Sequence, residues 1–154
     1  MSILVGSGLT MLTIVIHALG TVAWARYLKS KQAELSHRTA DMVFVLCYTA
    51  MIMLFLQILE VLLWAVTWLV LHDVPELNTL ESALYFSMVT FTALGFGDIV
   101  VTGPWRLLSG IQAMNGLLIF GWSTALLVAV LSQMLRRRLA IEDGTFNDPF
   151  SGAD

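Results

Sequence analysis

Three long apolar stretches, separated by polar segments, dominate the 154-residue chain. They cover approximately residues 3–27, 41–71 and 105–135, and each exceeds the roughly 20 residues that a helix needs to cross a bilayer. A shorter amphipathic stretch at 78–91 suits a helix that enters the membrane without crossing it. The pattern predicts an all-α integral membrane protein with three transmembrane helices and one re-entrant helix.

Polar residues and proline mark the ends of these stretches. Pro75 indicates the break after the second stretch, and Asn78 followed by Glu81 predicts a capping box at the start of the short helix. The tail at 139–154 is acidic and rich in Gly, Asn, Asp and Ser, which predicts disorder. The expected domains are an N-terminal helix and loop at 1–40, a membrane domain at 41–138 and the tail.

Composition agrees with a membrane protein. Hydrophobic residues make up 58% of the chain, charged residues only 12%, and the mean hydropathy is +0.82. A signal peptide is the competing interpretation of the first stretch, because Ala23-Trp24-Ala25 fits a cleavage site, but no positive charge precedes the apolar run. The sequence shows no zinc-ligand spacing, phosphate-binding loop or nucleophile–base pair. We therefore expect a lipid bilayer as partner, and no enzyme activity, cofactor, nucleic acid or small-molecule substrate.

The distribution of basic residues predicts the orientation. Seven of the eight Lys and Arg residues lie in the first loop region or after the last stretch, and Arg106 alone lies on the other side. By the positive-inside rule, the first loop and the C-terminus are cytoplasmic and the N-terminus is outside, in a multi-pass protein of the cell (plasma or inner) membrane.

The segment between the short helix and the third stretch has an unusual composition. It reads Thr92-Ala93-Leu94-Gly95-Phe96-Gly97-Asp98, and two glycines around one aromatic residue favour irregular backbone with positive φ angles. Irregular backbone at membrane depth is tolerated where protein buries it or where it lines a water-filled cavity. A tight turn between two helices is the simpler alternative.

This segment resembles the selectivity filter of potassium channels, which usually reads Thr-x-Gly-Tyr-Gly-Asp with Phe tolerated for Tyr. The flanks are similar to that family as well: residues 83–87 resemble its pore helix, and Trp105-Arg106, Gly116 and Phe120-Gly121 resemble its inner helix. The resemblance covers approximately residues 82–135.

The resemblance implies a homotetramer that conducts K⁺ as its permeant ion. The implied filter is Thr92 to Gly97, with carbonyls of Ala93, Leu94, Gly95 and Phe96 binding K⁺. Leu94 and Phe96 would pack against the pore helix, and the Thr92 side chain would point behind the filter or into the end of that helix. Asp98 would lie at the outer mouth.

Ala93 departs from the family, which usually has threonine there and uses its hydroxyl at the innermost ion site. This departure leaves two alternatives to a K⁺ channel: a weakly selective monovalent cation channel and a non-conducting membrane subunit.

Several polar residues interrupt the apolar stretches: His17, Gln57, Glu60, Gln112 and Asn115. Their depths along the helices predict Glu60–Asn115 and His17–Gln57 pairs, and a His17–Glu60 contact with modest tilt. Buried ionisable groups in membranes are paired or functional. The contacts are either structural links between helices or part of a pH- or ion-sensitive gate.

Gly116 and Gly121 on the last helix are candidate gating hinges by the family resemblance, and close helix packing is the equal alternative. Ser123, Thr124 and Leu127 are expected to line the inner pore. The expected membrane-interface or lipid-facing aromatic residues are Trp24, Trp64, Trp68 and Trp105.

Overall fold

Four α-helices make up most of the structure. The computed structural model describes residues 1–31, 39–71 and 74–142, and the regular structure within those ranges is helical. Single 3-10 turns at Pro75–Leu77 and Gly103–Trp105 precede the third and fourth helices. The helices are α1 (Ser2–Lys31), α2 (Thr39–Leu71), α3 (Leu80–Phe91) and α4 (Arg106–Glu142).

The lengths of these helices confirm the three predicted membrane-spanning stretches as helices that could cross a bilayer. The helices α1, α2 and α4 are long and apolar enough to cross a membrane. The α3 helix has 12 residues and is therefore about 18 Å long, which is too short to cross. Within the described residues, the protein thus has three potential membrane spans and one short helix between the last two.

Two helices extend beyond their predicted ends. The α1 helix continues to Lys31, and α4 continues through Arg136 and Arg138 to Glu142, although the third apolar stretch ends near Leu135. Leu, Arg and Ala are strong helix formers, so charge ends the apolar stretch without ending the helix. The loop residues 32–38, the dipeptide 72–73 and the remaining tail at 143–154 lie outside the described residues.

The interior lies between α2, α3 and α4, and α1 packs against both α4 and α2. Its large, fully buried apolar residues include Trp64, Trp68, Phe91, Leu77, Leu108 and Ile119. The prediction that four tryptophans face lipid or the membrane interface is wrong, because each is at most 7% exposed within a single chain. Their bulk fills the spaces between helices, and the indole N–H groups of Trp24 and Trp68 bond to Thr49 and Gln112.

The start of α3 is one residue later than predicted. Thr79 is the N-cap: its hydroxyl accepts a hydrogen bond from the Ser82 N–H at 3.1 Å, and the Ser82 hydroxyl accepts one from the Thr79 N–H at 3.4 Å. The predicted capping box of Asn78 and Glu81 is wrong. Asn78 still has right-handed helical backbone because it ends the preceding 3-10 turn, whereas Thr79 has the extended backbone of an N-cap.

Candidate functional site

The candidate site is the irregular segment Thr92–Asp98, which we call the GFG loop. It begins at the C-terminus of α3, and each of its residues is exposed on the single chain. The loop, the segment that follows it, the C-terminal half of α3 and the first two turns of α4 together line an open cavity of about 400 Å³. The loop is therefore held at its α3 end and accessible along its length.

Hydrogen bonds of the Schellman type fix how the loop leaves α3. The Ala93 N–H donates to the Thr90 carbonyl at 3.0 Å, and the Leu94 N–H donates to the Val89 carbonyl at 3.0 Å. This pattern is the usual way of satisfying the last carbonyls of a helix, and its central residue has left-handed backbone. That residue is Ala93, with φ of 58°.

The hydroxyl of Thr92 reinforces the same helix end. It donates to the Met88 carbonyl at 2.8 Å and lies 3.3 Å from the Val89 carbonyl. Of the two expected directions for this side chain, behind the filter or into the end of the short helix, these contacts support the second.

Positive φ angles recur at every second residue of the GFG loop. They are 58° at Ala93, 57° at Gly95 and 82° at Gly97. An extended strand would have negative φ throughout, so this loop is neither a strand nor a simple two-residue turn. The glycines supply the second and third left-handed positions without steric cost.

The apolar side chains of the loop are largely exposed on the single chain. Leu94 is 63% exposed and Phe96 66% exposed, and their packing against a pore helix stays a prediction. Hydrogen bonds hold the start of the loop backbone at the end of α3, and from there these two side chains point away from the chain's own interior.

Asp98 ends the loop and is tied back to α3. The Tyr85 hydroxyl donates a hydrogen bond to Asp98 Oδ2 at 2.7 Å. This bond lowers the pKa of Asp98 and raises the pKa of Tyr85. The contact therefore favours an ionised carboxylate at the end of the loop.

Gly116 is a close-packing site between α3 and α4. A Cβ atom at Gly116 would lie 1.8 Å from the carbonyl oxygen of Phe91 and 2.6 Å from its carbonyl carbon. A Cβ at Gly121 would have no neighbour within 4 Å. Of the two interpretations open for these glycines, the structure supports packing at Gly116, directly beside the start of the loop.

A buried amide one turn before Gly116 links three helices. The Gln112 Oε1 accepts a hydrogen bond from the Trp68 indole at 2.7 Å, and its Nε2 donates to the Ser87 carbonyl at 3.3 Å. Gln112 is fully buried. It fixes α3, and with it the loop, between α2 and α4.

The ionisable pair lies deeper in the bundle. His17 Nδ1 is 3.0 Å from Glu60 Oε1, and both side chains are fully buried, so the predicted His17–Glu60 contact is confirmed. The other ring nitrogen of His17 lies 3.3 Å from the hydroxyl of Ser123. Gln57 Nε2 donates to the same hydroxyl at 3.0 Å.

The other predicted pairs are wrong. Asn115 bonds to Thr13, with Nδ2 donating to the hydroxyl at 2.8 Å, and does not pair with Glu60. Gln57 reaches His17 only through Ser123. Helix depth alone does not determine which way a side chain faces, and the small hydroxyls of Thr13 and Ser123 fill the spaces between the larger groups.

Sequence reasoning missed the roles of Thr13 and Ser123. Ser123 was expected to line a pore, but it is 5% exposed and lies between α1, α2 and α4. A signal was available in the spacing: Thr13 and His17 are four residues apart, and Asn115 and Ser123 are eight apart, so each pair lies on one helix face. Thr124, in contrast, is exposed.

Within the ranges the structure describes, no group of three or more His, Cys, Asp and Glu residues could hold a metal ion. At the candidate site, oxygen atoms are offered by the backbone carbonyls of the GFG loop, the hydroxyl of Thr92 and the carboxylate of Asp98.

A comparison with protein-family models decides the class. The model described as ion channel matches residues 43–133, which is more than half of the 154-residue chain. This chain belongs to that ion channel family. No curated protein and no solved structure matches it significantly. The matched part of the channel contains most of α2 and α4, all of α3 and the GFG loop, whereas α1 lies outside the match.

Proposed function

We propose that this channel conducts K⁺ passively through the GFG loop, with carbonyls of Ala93, Leu94, Gly95 and Phe96 replacing the ion's hydration shell. The alternation of positive φ along the loop carries the proposal. The N–H groups of Leu94 and Gly95 both approach the Val89 carbonyl, at 3.0 Å and 3.4 Å, so the first N–H groups of the loop turn towards the end of α3. This arrangement would leave the loop carbonyls free to face the other side. A short segment of this kind can present several oxygen atoms to one ion.

The exposure of the loop supports a homotetramer. Irregular backbone is not tolerated against lipid, yet the whole GFG loop is exposed on the single chain. Other copies must therefore cover Leu94 and Phe96, and the backbone must face a water-filled space. With one loop in each chain, four copies around an axis complete a ring of carbonyls.

The charges around the loop favour a cation. The C-terminus of α3 directs the negative end of its helix dipole towards the start of the loop. The ionised Asp98 lies at the other end, bonded to Tyr85, where we propose the outer mouth. A cation in the loop would therefore have favourable charge at both ends.

The proposed setting is the cell membrane, with the N-terminus and Asp98 outside and the C-terminus in the cytoplasm. The asymmetry of Lys and Arg along the chain supports this orientation. The first helix and the channel core are proposed as two functional units, 1–40 and 41–138, followed by a short tail.

One observation favours a second candidate, a weakly selective monovalent cation channel. Ala93 has a methyl group and no hydroxyl, so the innermost ring of the loop has fewer oxygen atoms than the family pattern implies. A non-conducting subunit is the third possibility, and it differs from both in carrying no flux.

Ion flux from liposomes tests the proposal. Purified protein is reconstituted into K⁺-loaded vesicles in Na⁺ medium, and K⁺ release is followed with a proton ionophore and a pH-sensitive dye. We expect flux from the wild type and its loss in Gly95→Ala. The φ angle at residue 95 is 57°, and the two 3.0 Å helix-end hydrogen bonds that hold Ala93 in left-handed backbone do not hold residue 95, whose N–H has only a 3.4 Å contact with the Val89 carbonyl; alanine there should therefore revert to negative φ. Gly8→Ala is the matched control, since its Cβ would meet no neighbour within 4 Å. Equal flux from both variants would contradict a conducting role for the loop.

A further inference from the structure

Ala93 is the one non-glycine residue with positive φ among the described residues. Left-handed backbone brings the Cβ atom close to the following carbonyl oxygen, so this conformation raises the free energy of every residue except glycine by about 1–2 kcal/mol. A residue held in such a conformation needs surrounding contacts that fix it. At Ala93 these contacts come from the end of α3.

Two hydrogen bonds require the left-handed turn at this position. Ala93 N–H donates to the Thr90 carbonyl and Leu94 N–H donates to the Val89 carbonyl, both at 3.0 Å. These two bonds form together only when residue 93 has left-handed backbone. The Gly95 N–H also approaches the Val89 carbonyl, at 3.4 Å. Changing φ at residue 93 would therefore release the loop from the helix.

The side chain at residue 93 must then be small and unbranched. A β-branched residue with positive φ is a genuine outlier, because its second branch clashes with the backbone. Glycine is the usual residue at this position of a Schellman motif, and alanine is the smallest side chain that replaces it. Threonine, which the family resemblance leads one to expect, is β-branched.

We infer that residue 93 determines the conformation of the GFG loop, and that its small side chain is required by the left-handed backbone where the loop leaves α3. The innermost ring of the loop is consequently built from backbone atoms without side-chain hydroxyls. Threonine at this position would drive φ negative, break the helix-end hydrogen bonds and redirect the carbonyl of residue 93. The statement about an ion-facing ring rests on the proposed function, but the statement about conformation does not.

Stability measurements on the full chain test the conformational part. We would compare wild type, Ala93→Gly, Ala93→Ser and Ala93→Thr in detergent, following thermal unfolding by circular dichroism. The expected order of midpoints is Gly, Ala, Ser, Thr from highest to lowest, with Gly about 2–4 °C above wild type. Serine is the control for the hydroxyl, because it adds the oxygen without the β-branch.

Flux measurements on the same variants separate this inference from the proposed function. We expect Ala93→Thr to lose flux, and we expect the α1 variant Gly8→Ala to keep it, because a Cβ at Gly8 would meet no neighbour within 4 Å. A threonine variant as stable and as conductive as the wild type would overturn the inference. If the unfolding midpoints follow the predicted order but none of the proteins carries flux, the conformational role of residue 93 is supported. Only the K⁺-channel proposal is then contradicted.

Discussion

Replacing Gly116 by alanine tests how α3 is held against α4. The new Cβ would lie 1.8 Å from the Phe91 carbonyl oxygen, whereas ordinary contact begins near 3.4 Å. The two helices must therefore separate by about 1.5 Å, because the obstacle is backbone and cannot rotate away. Overpacking of this kind costs about 1–3 kcal/mol.

The separation also affects the neighbouring hydrogen bond. The bond from Gln112 Nε2 to the Ser87 carbonyl is already 3.3 Å long, and its loss costs about 1 kcal/mol. We expect a total loss of about 2–4 kcal/mol in the free energy of unfolding. This loss corresponds to about 5–15 °C in the unfolding midpoint of a chain of this size.

Circular dichroism of the detergent-solubilised protein measures that midpoint, and Gly121→Ala is the matched control. A Cβ at Gly121 meets nothing within 4 Å, so alanine there raises helix stability by up to about 1 kcal/mol. If Gly116 serves only as a hinge, Gly116→Ala would behave like the control and gain stability. Equal or higher midpoints for both variants would refute the packing argument.

Two other variants test the polar contacts. Glu60→Gln should leave flux and its pH response unchanged, because Glu60 links α2 to His17 in the bundle interior. Glu60→Leu should cost about 1–3 kcal/mol in the free energy of unfolding, because it removes the hydrogen-bond partner of a buried ring nitrogen. Loss of the pH response of flux in Glu60→Gln would show instead that the pair is a gate. Tyr85→Phe should remove the bond that lowers the pKa of Asp98. The stability that this bond contributes is present above the ordinary pKa of an aspartate and is lost as the pH falls through the lowered value. The variant should therefore unfold with a smaller dependence on acidic pH than wild type, measured as midpoint against pH, and an unchanged acid dependence would show that the bond is not energetically important.

Length and hydropathy were sufficient to predict the membrane topology. Each spanning helix is longer than a bilayer requires and the short helix is clearly too short, so neither assignment depended on exact boundaries. The ends were less certain because residues such as Arg136 favour helix as much as the apolar residues before them. The N-cap moved from Asn78 to Thr79 because the preceding 3-10 turn extends through Asn78.

The site was predictable where residue type dictates conformation and unpredictable where packing does. Glycine at positions 95 and 97 predicted positive φ angles there. The positive φ of Ala93 depends on the hydrogen bonds at the end of α3, and the residue type alone does not predict those bonds. The depth of each residue along its helix correctly predicted the contact between His17 and Glu60. It failed for the remaining pairs because depth carries no information about the direction in which a side chain points.

The central claim, that the GFG loop conducts K⁺ selectively, is tested most directly by a reversal potential. Purified wild-type protein is placed in a planar bilayer with K⁺ on one side and Na⁺ on the other. The account predicts reversal near the K⁺ equilibrium potential, which would mean that carbonyls suffice without a hydroxyl at Ala93. Reversal near zero would contradict K⁺ selectivity and identify a weakly selective cation channel, and the absence of current from folded, assembled protein would contradict conduction through the loop.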